Sequence, residues 1–185
     1  MTENFTPALG DRVTITDYLL RAKLSYTQIL ALAEQGVTIP EGMLSTAGKE
    51  QQQEDEYRRR DAERGYPHYP MVGREYKMWL PHSVHAANRH NHIKGRLPEG
   101  AVGWISTDNK RHGVPMDLQL PITGVVVRKL KLSDGLPMYE EYGHDWDSCG
   151  LRTGYQVAYS LHRRPVNAYP EMIQEVTGAP DILPL

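Results

Sequence analysis

The chain has 185 residues, a formal charge of −2 and a hydrophobic fraction of 39%. That length holds one domain, or one domain with an appendage. The near-neutral balance argues against a protein that coats nucleic acid along its whole surface, and the lone Cys149 excludes both an intramolecular disulfide and a cysteine zinc knuckle.

Met1 to Gly10 is polar and lacks the basic-then-apolar pattern of a signal peptide. No apolar run approaches the roughly 20 residues that cross a bilayer. A soluble protein is expected, intracellular in the producing cell and with no membrane contact. Tyr occurs 11 times, Trp 3 times and Phe once. Tyrosine hydroxyls need partners or a wet edge, and tyrosine-rich surfaces suit protein contacts.

In chain order, a short helix is expected from Thr16, with Asp17 in a first turn that favours a carboxylate. Ser25-Tyr26-Thr27-Gln28 spells a capping box. Tyr26, Ile29, Leu30 and Ala33 then build one apolar helical face, closed by Gly36 as a C′ residue. A helix-turn-helix reading would start its second helix near Pro40-Glu41-Gly42. No Arg, Asn or Gln cluster there would reach base edges, so a supporting two-helix pack is expected. Residues 49–64 read as a polar connector helix, with Glu54–Arg58, Asp55–Arg59 and Glu56–Arg60 at helical spacing and only Tyr57 and Ala62 available to a core. Gly65-Tyr66-Pro67 ends it.

Strand grammar begins near Glu75. Tyr76, Met78 and Leu80 share one face, and Lys77 and Trp79 the other. Further strands are expected at 101–106, 116–122, 124–132, 138–142 and 155–162, with turns at Thr107 to Lys110 and Ser133-Asp134-Gly135. Pro170 at a helix N1 position opens a last helix, Glu171 to Val176, closed by Gly178. The expected fold is α+β: a helical N-terminal region, 1–65, followed by a small antiparallel SH3-like β-barrel domain, 66–185.

His82, His85, His90 and His92 crowd one window, but no Asp, Glu or Cys lies between Tyr76 and Pro98, and the spacing matches no established zinc motif. We assign no metal and no cofactor. Arg89, His90, His92, Lys94 and Arg96 form a basic segment read as a loop. It suits phosphate or an acidic protein surface, with Trp79 or Trp104 as a stacking face. His144-Asp145-Trp146-Asp147-Ser148-Cys149 brings a thiol, an imidazole and two carboxylates into one stretch. Nucleophilic dyads usually draw their members from separate elements, so this reads as a loop around Trp146 and no catalytic residue is assigned. His162-Arg163-Arg164 closes the 155–162 strand, with Glu140, Glu141 or Asp145 as expected partners for the arginines.

Gly124-Val125-Val126-Val127, Leu132-Ser133-Asp134-Gly135, the run from Tyr155 to Val166, and Pro170-Glu171-Met172-Ile173 together resemble small uncharacterised proteins encoded by bacteriophages of actinobacteria. The resemblance spans about residues 120–175. It implies a phage setting, in the cytoplasm of a bacterial host cell or in a virion, and carries no catalytic residues. The expected function is therefore non-enzymatic: an accessory protein that binds a protein partner, a host factor or a virion subunit. Its expected contacts are Trp79, Arg89, His90, His92, Lys94, Arg96, Trp104, Trp146 and Arg163. The alternatives are a nucleic-acid-binding module built on residues 89–96, and a metal-dependent hydrolase built on the His82 to His92 cluster with His144, Asp145 or Asp147.

Overall fold

The structure is a computed structural model that describes residues 5–70, 75–93, 113–133 and 151–176. Among these, seven strands form one antiparallel sheet: β1 (Arg12–Ile15), β2 (Leu19–Leu24), β3 (Tyr76–Pro81), β4 (Ile122–Ser133), β5 (Leu151–Ala158), β6 (Val166–Ala168) and β7 (Ile173–Glu175). Their order is β3-β2-β6-β5-β4-β1-β7. Three helices accompany them: α1 (Tyr26–Glu34), α2 (Glu41–Glu63) and α3 (His82–Ile93).

The expected architecture is corrected on several points. The sheet is open, with β3 and β7 as its outer strands, and is not closed into an SH3-like barrel. The helices do not precede the strands, because β1 and β2 come before α1, and α3 follows β3. The segment expected to be a helix from Thr16 contains β2. Leu20, Ala22 and Leu24 are buried while Arg21 and Lys23 are half-exposed, the period-two pattern of a strand with one covered face.

The sheet joins the two ends of the described chain. β1 runs between β4 and β7, pairing Val13 with Gly124 and Thr14 with Gln174. β2 reaches the remaining strands through the pair Leu19 and Asn167. Where a helix was expected from Glu171 to Val176, a single 3-10 turn (Pro170–Met172) leads into edge strand β7. Pro170 does open that turn at N1/N2. The expected strand at 116–122 is irregular through 121 and buries Leu118, and β4 starts at Ile122. β5 begins before the expected strand at 155–162 and ends at Ala158. The strands expected at 101–106 and 138–142 lie outside the described residues.

Local chemistry explains the helices. Ser25 accepts from the Gln28 amide at 3.4 Å, and the Gln28 side chain accepts from the Ser25 amide at 2.9 Å, completing the capping box. Gly36 at φ +79° closes α1, with its own amide bonded to the Ala33 carbonyl and the Val37 amide to the Leu32 carbonyl. That is a Schellman stop. Gly65 at φ +70° closes α2 in the same way, through Ala62 and Asp61.

α1 and the first half of α2 cover one face of the β2–β3 ribbon. Ile29, Leu32, Met43 and Ala47 pack with Ala22, Leu24, Tyr76, Met78 and Leu80. Each large aliphatic side chain buried there stabilises the fold by roughly 1.5–3 kcal/mol. The main core gathers Val13, Ile15, Tyr18, Leu19, Val126, Tyr155, Val157 and Ile173, with Trp79 packed against its edge.

Candidate functional site

The β2–β3 ribbon has a second face, away from α1 and α2. Antiparallel register puts Arg21 across from Trp79, Lys23 across from Lys77, and Leu19 across from Pro81. Directly opposed residues project to the same side, so this face carries three cations and an indole. Lys77 is exposed, while Arg21, Lys23 and Trp79 are half-buried. The Arg21 guanidinium carbon lies 5.9 Å from the Trp79 ring centroid, at the outer reach of a cation–π contact. Glu75 answers Lys23 at 3.7 Å. A like-charge pair facing itself across a ribbon is destabilising, so the Lys23–Lys77 juxtaposition opposes folding slightly and favours anions.

α3 continues directly from this ribbon. Asp17 holds its N-terminus, accepting from the Ser83 hydroxyl at 2.6 Å, the Ser83 amide at 3.2 Å and the Tyr18 amide at 2.8 Å. A carboxylate at a helix start satisfies orphan amides and complements the helix dipole. The Tyr18 carbonyl accepts from the His82 amide at 2.7 Å. The Tyr18 and His82 rings stack at 4.6 Å and 14°, and His82 Nε2 lies 3.3 Å from the Met116 carbonyl. Burial pushes the Tyr18 hydroxyl well up, against the opposing Leu118 backbone, so it stays a phenol. Burial pushes His85 down to about 4 against the opposing Leu20 backbone, so its imidazole is neutral near pH 7. These groups act as packed, hydrogen-bonded connectors between β2, α3 and residues 116–118.

The predicted contact residues fall into three groups. Trp79 is on the ribbon face. Arg89, His90 and His92 lie on α3, a helix where a basic loop was expected. Arg163 is in the loop after β5, its guanidinium 3.9 Å from Asp117, both side chains largely exposed. It stands beside Tyr159, whose hydroxyl is raised by burial and lowered in part by that guanidinium. Glu140, Glu141 and Asp145, the expected partners of the arginines, lie outside the described residues. Lys94, Arg96, Trp104 and Trp146 lie outside the described residues, as do His144, Asp145, Asp147 and Cys149. Among the described residues no group of three or more His, Cys, Asp or Glu side chains could hold a metal ion. His82 and His85 are placed apart in role, one stacked on Tyr18 and the other buried.

Sequence reasoning missed Arg21 and Lys23 because the segment from Thr16 reads as a short helix. The alternation of Leu20, Ala22 and Leu24 with Arg21 and Lys23 carries the signal. No protein-family model, no curated protein and no solved structure matches the chain. Among the described residues, no helix is long and apolar enough to cross a membrane.

Proposed function

We propose that the chain is a non-enzymatic binding protein that engages a protein partner through the outer face of the β2–β3 ribbon, and that the partner presents an acidic surface there. The observation that carries this is the direct opposition of Lys23 and Lys77 beside the Arg21–Trp79 pair. An acidic partner turns that repulsion into two attractive contacts, and a half-buried indole adds apolar area. Arg89, His90 and His92 on α3 extend the basic character along the chain from the same ribbon. The exposed Tyr66 and Tyr69 add aromatic groups of the type that interfaces use. The resemblance of residues 120–175 to actinobacteriophage proteins supports an accessory role, with a host factor or a virion subunit as the partner.

The test pairs an oligoglutamate peptide with a polythymidine oligonucleotide of equal charge, each titrated into wild type and into a K23E/K77E variant. Peptide binding that the double variant loses supports the reading. Oligonucleotide binding that exceeds peptide binding and falls steeply with salt would replace it with the nucleic-acid reading. A pull-down from host lysate with both proteins then identifies the partner as the species that only wild type retains.

A further inference from the structure

Helix α2 runs from Glu41 to Glu63, and most of its second half is polar. Glu54 is nevertheless 2% exposed. The reason is His68. Beyond the Gly65 stop the chain folds back along the helix, and the His68 ring enters between two carboxylates. Its Nε2 meets Glu54, and its Nδ1 lies 3.1 Å from Asp61. One turn earlier on α2, Glu50 accepts from the Tyr76 hydroxyl on β3. The helix is thereby fastened to the sheet at one point and to its own trailing segment at the next.

A neutral imidazole has one N–H and one lone pair. It can donate to only one carboxylate and must present its lone pair to the other. The protonated ring donates to both. The two-sided arrangement is therefore the geometry of an imidazolium. We propose that His68 is a protonation-dependent latch that holds residues 65–69 against α2 and presents Tyr66 and Tyr69 to solvent in a fixed position. The two tyrosines are 64% and 79% exposed, so they gain no holding force from burial.

The groups that bear on the ring are Glu54 and Asp61, whose hydrogen bonds and charges raise the His68 pKa. Glu50 and Arg58 share the same helical stripe on α2, and Tyr76 approaches from β3 through Glu50. Because the folded pKa is raised, the latch is fully closed below the ordinary value of about 6.5 and loosens as pH climbs through the folded one. Between those two values the open fraction rises about tenfold per pH unit. Tyr66 and Tyr69 also enter the partner-binding reading, but the latch does not rest on it and its readouts need no partner.

The test uses the full chain with isotope-labelled histidine, the His68 signals being assigned by their loss in H68Q. The expected result has both ring nitrogens of His68 protonated at neutral pH and a titration midpoint above 6.5, lowered by D61N and by E54Q. Asp61 is partly exposed, so D61N serves if E54Q does not fold. Amide exchange of residues 65–69 is then followed against pH, with H68Q as the reference for the intrinsic rise. Protection in wild type should fall about tenfold per unit between 6.5 and the measured midpoint, while H68Q shows no such step. A midpoint at or below 6.5 overturns the latch. So does a raised midpoint with protection that tracks H68Q throughout.

Discussion

Replacing Glu75 with Gln should lower stability and raise affinity for an acidic partner at the same time. Glu75 Oε2 lies 3.7 Å from Lys23 Nζ, with side-chain exposures of 67% and 35%. In water-like dielectric two unit charges at that distance attract by about 1.1 kcal/mol. Screening at physiological salt and the entropy of ordering two long side chains reduce this to about 0.5 kcal/mol. The loss also leaves Lys23 facing Lys77 with less compensation. For a chain of this size the expected fall in Tm is about 1–2 °C. A partner carboxylate docked near Lys23 would sit about 7 Å from Glu75, and removing that repulsion at low ionic strength is worth about 0.5 kcal/mol, or roughly twofold in Kd. Thermal melts and peptide titrations of wild type and E75Q in the same buffer give both signs. The affinity gain should vanish near 1 M salt, where the Debye length is about 3 Å. A variant that melts higher, or that binds the acidic peptide more weakly at low salt, would refute the electrostatic reasoning behind the site.

Other outcomes follow from the packing and the buried groups. Gly124→Ala would bring a Cβ to 2.6 Å from Val157 Cγ1 and 2.8 Å from the Ala158 carbonyl oxygen. Overpacking against backbone should cost about 1–3 kcal/mol and lower Tm by about 3–10 °C in a thermal melt. Asp17→Ala removes two hydrogen bonds at the start of α3 and a third from the Tyr18 amide; a loss of about 1–2 kcal/mol is expected, with amide exchange in α3 rising before that of β4 and β5. Leu32→Ala empties a fully buried position between α1 and the ribbon. It should cost about 2–5 kcal/mol in urea unfolding. His85, buried and depressed to about 4, binds its proton more readily in the unfolded chain. Its neutral state therefore contributes stability above about pH 6.5, which is lost as pH falls toward about 4, a change of about 3 kcal/mol. An H85Q variant should show a flatter acid limb over that interval.

Much of the local structure was legible because it is enforced by neighbours in sequence. The Ser25 to Gln28 capping box, the Gly36 and Gly65 stops, and the inward Tyr76, Met78 and Leu80 against the outward Lys77 and Trp79 all appear as the residues spell them. The polar stretch after Lys49 is helical as its spacing implies, although its helix starts at Glu41. Glu54, which spacing assigns to an exposed pair with Arg58, is buried against His68. Ala62, a candidate core residue, is exposed. Both misreadings share one cause. A returning segment fourteen residues downstream decides which stripe of a polar helix is covered, and helical periodicity does not encode it.

The sequence by itself determined the capped start of α1, the glycine stops of α1 and α2, which residues of β3 share a face, and the strand character around residues 124–132. Those features depend on contacts a few residues apart. Only the tertiary structure decided that β1 lies between β4 and β7, that Leu19–Leu24 is a strand, and that the sheet stays open. Strand order is fixed by pairings such as Leu19 with Asn167, whose backbone hydrogen bonds are the same for any side chain. It emerges only when the apolar faces of both ends of the chain are buried together. The same holds for the face proposed to bind. Lys23 and Lys77 are 54 positions apart in sequence, and register alone sets them opposite each other.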